Sequence, residues 1–278
     1  KRYIDVCDDI ELSRIATSKE FQLIAKEGNG KAVISTGIWP GVSSILAKEV
    51  SDQLKSQNEK IDRLEFSFFT AGSGGAGPTI LTATFLILGE NVLTYVNGNP
   101  VYIKSGSESK IIDFGKGIGE REVIAMNLIE CESSFKSGLA PTVNTKFGTA
   151  PPVWNTLFKL MTQLIPQRIL QDREQMARFA VFSVPLVRLV DSLVGATNGI
   201  RVDFFCQSGK KQTAILNHQN LEDCVGEAIA SFATEILQSN EISPGVFFPE
   251  ELPKRSRDRI LENSIKSSIF HSWDYKWL

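Results

Sequence analysis

Through residue 56 the sequence alternates strand-like and helix-like segments, and from Arg63 onward paired strands take over. Residues 2–7 read as a short buried strand. Asp8 and Asp9 stand where a helix takes its N-terminal cap, and residues 13–27 continue as one helix. Residues 31–35 are a second strand. The tight turn Thr36-Gly37-Ile38-Trp39-Pro40-Gly41 then opens a helix with Val42, Leu46, Val50 and Leu54 on one stripe. A β-α-β-α run of this kind is how a parallel sheet ends.

Beyond it, Leu64-Glu65-Phe66-Ser67-Phe68 alternates as a strand should, and residues 79–88 form a short apolar helix closed by Gly89. Asn97-Gly98 and Ser208-Gly209 are hairpin turns between β-rich flanks. Helices are expected over 154–165, 172–194 and 223–237. The second opens Asp-Arg-Glu-Gln, so that Asp172 caps and Gln175 reaches back. The fold class that follows is an α/β parallel unit and then an α+β unit, with a mixed, mainly antiparallel sheet and flanking helices.

Gly72-Ser73-Gly74-Gly75-Ala76-Gly77 satisfies the G-x-G-x-x-G dinucleotide pattern, follows a strand and precedes a helix. A dinucleotide fingerprint, however, opens a βαβ crossover, whereas here the helix runs into the Asn97-Gly98 hairpin. The stretch is instead a small-residue loop at a helix start. Its backbone N–H groups either anchor a carboxylate or phosphate of a substrate or simply let helix and sheet pack closely. Cys7-Asp8-Asp9 lies at a strand's C-terminal end, where ligands bind in parallel sheets, and helix capping accounts for the aspartates equally well. Asp113-Phe114-Gly115-Lys116-Gly117-Ile118-Gly119 and Arg121 put charges on a loop able to hold an acid, with a solvated turn as the plainer reading.

Thirty basic and thirty-two acidic residues give a net charge of −2, too weak a field to gather nucleic acid or anionic lipid. Cys7, Cys131, Cys206 and Cys224 show no C-x-x-C spacing, and His218 and His271 are the two histidines. Neither a metal site nor a disulfide framework is expected, and a reducing compartment is the simpler setting. Residues 179–194, the most apolar stretch, contain Pro185, Arg188 and Asp191 and are too short and too charged to span a membrane. The chain starts at Lys1 and enters a strand at once, so its natural N-terminus is expected to lie upstream.

Three motifs, Tyr3-Ile4-Asp5-Val6-Cys7-Asp8-Asp9, Thr36-Gly37-Ile38-Trp39-Pro40-Gly41-Val42-Ser43 and Thr70-Ala71-Gly72-Ser73-Gly74-Gly75-Ala76-Gly77-Pro78-Thr79, together with Asp113-Phe114-Gly115-Lys116-Gly117, Lys146-Phe147-Gly148-Thr149-Ala150-Pro151 and Pro244-Gly245-Val246-Phe247-Phe248-Pro249-Glu250, resemble in order the plastid and cyanobacterial saccharopine-dehydrogenase-like proteins. The resemblance implies that 1–60 is the C-terminal remnant of a Rossmann-like dinucleotide-binding domain, 61–252 the second domain for substrate and dimerisation, and 253–278 a tail. It implies an NAD(P)-dependent oxidoreductase in the full-length family protein, with Cys7, Asp8, Thr36 and Gly37 on the cofactor side. Gly72, Ser73, Gly74, Gly75, Gly77, Thr79, Lys116 and Arg121 fall on the substrate side. No cofactor is expected for this chain alone, because the family's phosphate-binding glycines precede the Asp5-Val6-Cys7-Asp8 strand. The alternative is a non-catalytic subunit of a larger, plastid photosynthetic assembly. Either way another protein subunit, in a homodimer or larger assembly, is the expected partner, and a plastid the expected location. Family reductases carry Asp-Pro-Gly-Ile-Asp-His at the turn, whereas Trp39-Pro40-Gly41-Val42-Ser43-Ser44 stands here, so saccharopine itself is not implied as substrate.

Overall fold

A computed structural model describes residues 1–72 and 77–273. The parallel unit comes first: β1 (Arg2–Ile4), α1 (Ile10–Ala16), α2 (Lys19–Glu27), β2 (Lys31–Val33) and α3 (Val42–Ser56). One helix over 13–27 is corrected to two. Asp9 caps α1 by accepting from the Leu12 N–H at 2.8 Å, and Ser18 is extended and caps α2. An extended Ser18 interrupts the helical backbone and supplies the side-chain acceptor that a new helix start needs. The α3 stripe is as expected, with Val42, Leu46 and Val50 fully buried and Leu54 1% exposed; each such side chain contributes ~1.5–3 kcal/mol of burial.

Next come β3 (Ile61–Ala71), α4 (Pro78–Leu88), β4 (Asn91–Val96), β5 (Asn99–Lys104), β6 (Lys110–Asp113) and β7 (Glu120–Ala125). They are followed by α5 (Glu130–Lys136), β8 (Thr142–Ala150), α6 (Val153–Leu164), α7 (Gln167–Leu170) and α8 (Arg173–Val194). The chain closes with β9 (Thr197–Cys206), β10 (Lys211–His218), α9 (Leu221–Gln238), β11 (Gly245–Phe247), a 3-10 turn (Pro249–Glu251), α10 (Lys254–Lys266) and β12 (Phe270–Ser272). The Asn97-Gly98 hairpin forms as read, with Val96 opposite Asn99. At the start of α8 the Asp172 carboxylate accepts from the N–H groups of Glu174 and Gln175, and the Gln175 amide donates back to it at 2.9 Å.

Two sheets result. The small one, in the order β1-β2-β11, is entirely parallel. The large one runs β12-β10-β9-β3-β8-β4-β5, with β7 also on β8 and β6 on β7. Its pairings are antiparallel except β3 with β8, whose register takes Leu64 to Val143 and Ala71 to Ala150. β11 and α10 thus return late in the sequence to the parallel unit. Arg257 of α10 donates to Glu49 of α3 at 2.6 Å and to the Leu252 carbonyl. A second buried tie joins α1 to α5: Arg14 grips both oxygens of Glu132 at 2.8 and 3.0 Å, and the Tyr95 hydroxyl donates to Glu132 at 2.7 Å.

The last described residues of the 253–278 tail fold back on the chain itself. Phe270, His271 and Ser272 pair with β10, and Trp273 packs on the main core; the remaining tail rings, Tyr275 and Trp277, lie outside the described residues. β1 pairs on one side only among the described strands.

Candidate functional site

A cavity of about 380 Å³ opens where the C-terminal ends of four strands meet. Asp8 follows β1, and Ile38, Trp39 and Pro40 follow β2. Thr70 and Gly72 end β3, and Thr149 and Ala150 end β8. Such ends are where open α/β sheets bind ligands, because the connections there splay apart. Side chains of α4, α6, α8 and the start of α9 line the space, with Phe85, Phe158 and Leu221 among them.

The turn after β2 is built by backbone bonds. Both the N–H and the hydroxyl of Thr36 donate to the Asp5 carbonyl, at 2.7 and 2.6 Å. Ser35 donates to the Asp5 carboxylate and to the Cys7 carbonyl, so Cys7, Thr36 and Gly37 are held as one unit. Gly41 has φ +133°, and a Cβ there would lie 2.1 Å from the Gly37 carbonyl oxygen; only glycine fits. The turn presents Trp39, stacked on Phe68 at 5.3 Å and against Phe147 at 5.7 Å between ring centroids. Its indole N–H is buried without a hydrogen-bond partner among the described residues.

Two carboxyls belong to the wall. Glu130, first residue of α5, is 1% exposed, and its Oε1 accepts from the Ser43 hydroxyl at 2.9 Å. Burial pushes it up to about 7, aided by the charges of Asp8 and Glu250 and opposed by its own backbone N–H and the Ser43 hydroxyl. Asp8 reaches solvent, yet enough protein surrounds its carboxyl that desolvation raises it too. Behind Glu130, fully buried Glu250 is likewise pushed up to about 7 by burial. Glu132, two residues from Glu130, behaves oppositely: against the push of burial, Arg14, Tyr95 and Lys136 hold it down to about 2. A carboxyl that keeps its proton near neutrality beside a cavity is equipped to give and take protons.

Of the residues read from the sequence, Asp8 and Gly72 line this cavity. Ser73, Gly74 and Gly75 lie outside the described residues. Gly77 is the N-terminal cap position of α4, and Thr79 is exposed on that helix. Lys116 and Arg121 are elsewhere. The Asp113–Gly119 loop is fastened to β10 by Asn217, which donates to the Phe114 carbonyl at 2.8 Å, and Arg121 lies over the Phe69 ring at 5.2 Å. Glu130 and the Trp39 ring were not singled out as site residues. The available signal for Glu130 was an acidic residue directly after the largely apolar run Val123-Ile124-Ala125-Met126-Asn127-Leu128-Ile129. His218 is buried, with Nε2 2.8 Å from the Ser264 carbonyl. Among the described residues no group of His, Cys, Asp and Glu is arranged to hold a metal ion, and no helix is long and apolar enough to cross a membrane.

No protein-family model matches the sequence, and a search of curated proteins returns no match. Solved structures do match in fold. Saccharopine dehydrogenase (L-Glu forming) from Saccharomyces cerevisiae superposes with a TM-score of 0.63 at 11% identity, over 98% of this chain and 79% of that one. Homospermidine synthase from Legionella pneumophila, solved in complex with NAD, gives a TM-score of 0.61 at 13% identity, over 98% of this chain and 70% of that one. The chain therefore has the α/β fold of these proteins: a small parallel sheet joined to a mixed, mostly antiparallel sheet with flanking helices.

Proposed function

We propose that this chain is the substrate-holding part of a saccharopine-dehydrogenase-like, NAD(P)-dependent oxidoreductase, with Glu130 and Asp8 as its acid–base groups. The observation that carries the reading is the cavity at the ends of β1, β2, β3 and β8 with a proton-retaining Glu130 in its wall. The shared fold and the ordered motif resemblance support it. A bound nicotinamide would supply a hydride donor or acceptor; this chain's part is to enclose the substrate, exclude water with apolar side chains and move a proton at Glu130 Oε1 or Oε2.

Cys7, Asp8, Thr36 and Gly37 lie at the sheet edge along which a dinucleotide runs, but they do not fit its pyrophosphate. The Asp9 carboxylate already takes an N–H at the start of α1, a helix of seven residues, and Thr36 spends both donors on Asp5. Asp8 and Asp9 would also repel phosphate there. The test is nicotinamide turnover by the protein over a panel of amines, hydroxy acids and amino acids. Turnover that depends on Glu130 supports the reading, and absence of any nicotinamide binding contradicts it.

A second reading, a non-catalytic subunit of a larger plastid assembly, is favoured by one observation: Val181, Phe182, Leu186 and Leu189 of α8 are 55–82% exposed, an apolar strip suited to a protein contact. Solution mass decides it, since a monodisperse monomer removes its support.

A further inference from the structure

The walls of the cavity restrict what can enter it. Ile38, Phe85, Met126, Phe147, Leu157 and Phe158 surround most of the space, so an occupant that fills it presents apolar surface. The ionisable side chains in the described wall are both acidic, Asp8 and Glu130, and no lysine, arginine or histidine stands with them among the described residues. Lys116 and Arg121, the cations read from the sequence as anion holders, sit at the Asp113–Gly119 loop and over Phe69 instead. A dicarboxylate, or any ligand with a free acid at the Glu130 end, would be brought next to two carboxyls with no counter-charge.

We infer that the cavity takes an apolar molecule carrying an amine head, with the hydrocarbon between α4, α6 and α8 and the nitrogen at Asp8 and Glu130. This rests on the proposed function for the identity of the site, and it adds the chemical class of the ligand. The two acids suit the head twice over. An ammonium entering from water meets Asp8 at the cavity mouth, and its positive charge favours the ionised form of Glu130 behind it, which can then take a proton as the nitrogen becomes neutral. Reading the 72–77 loop as an anion anchor would place a carboxylate at this cavity; the charges of its wall select the opposite group.

Binding of dodecylamine, dodecanoate and butylamine to the whole chain by calorimetry, below the concentration at which the first two form micelles and without any nicotinamide, tests the inference. Dodecylamine is expected to bind one to one, at least about tenfold tighter than dodecanoate, which lacks the cationic head. Butylamine, with the same head and little tail, is expected to be weaker by a similar factor or more. E130Q and D8N should each narrow the amine-over-acid preference, their fold checked by circular dichroism. A83F, or T84F if the first fails to fold, places a ring in the cavity and should abolish the binding. Dodecanoate binding as tightly as dodecylamine, or amine binding that persists in a folded A83F or T84F chain, overturns the inference. Because no nicotinamide is present, that failure is separate from a failure of the redox reading, which has its own turnover assay.

Discussion

The Ser43 hydroxyl donates to Glu130 Oε1 across 2.9 Å, joining the second residue of α3 to the first residue of α5 inside the protein. Here a hydroxyl on one helix supports a carboxyl supplied by a helix far away in sequence. Replacing Ser43 with alanine should leave Glu130 with less support for its charged form. The expected result is a higher Glu130 titration midpoint, followed by infrared or NMR against E130Q, and a stability loss of ~1–2 kcal/mol in denaturant. An unchanged midpoint contradicts this assignment.

Stability should fall as pH rises from about 4.5 to about 7. Glu130 and Glu250 are raised in the fold from an ordinary 4.5 to about 7. In that window the unfolded chain has lost these protons and the native chain keeps them, so the slope of unfolding free energy with pH is negative. Their contribution is full below 4.5 and gone above 7. Glu132, lowered to about 2, has the reverse sign: its contribution is present above 4.5 and is lost as pH falls toward 2. The double variant E130Q E250Q should flatten the neutral limb and gain ~1–3 kcal/mol at pH 8. Melting curves across pH read both limbs, and an unchanged neutral limb in the double variant contradicts the account.

Arg257 and Glu49 are 6% and 2% exposed and 2.6 Å apart, with Asp52 on a second guanidinium nitrogen at 3.0 Å. Removing one partner leaves the other charge buried, so R257A should cost ~3–5 kcal/mol. Lys254, whose side chain is 57% exposed, makes an ion pair with the same Glu49, and K254A should cost less than ~1 kcal/mol. Equal losses in urea unfolding would show that the buried pair is not what holds α10 to α3.

Gly41 tests the turn that presents Trp39. With φ +133° and the Gly37 oxygen 2.1 Å from an added Cβ, G41A must move the backbone and should cost at least ~2–3 kcal/mol. Displacement of Trp39 from Phe68 should accompany it as a changed tryptophan emission. A stable G41A chain with unaltered emission contradicts the geometry.

The sequence made legible whatever is written locally. The α3 stripe, the Asn97-Gly98 hairpin and the Asp172–Gln175 cap each follow from a few adjacent residues, and each stands in the structure. The ordered motifs carried the fold as well. What was not legible depends on residues far apart in sequence. The pairing of β11 with β2 brings Val246 opposite Ala32, and no local period announces it. The cavity is assembled from the ends of four strands and the faces of three long helices, so the partner of Glu130 could not be read from its neighbours. Lys116 and Arg121 illustrate the converse: their charge suggested an anion site, while Asn217 and Phe69, distant in sequence, fix where they lie.

The most direct measurement of the central claim is nicotinamide turnover by the protein, wild type against E130Q, with the cavity's substrate supplied. The account predicts that E130Q lowers kcat by at least ~100-fold, the scale of a lost general acid–base group, while nicotinamide affinity stays the same. Equal kcat in the two proteins would contradict it.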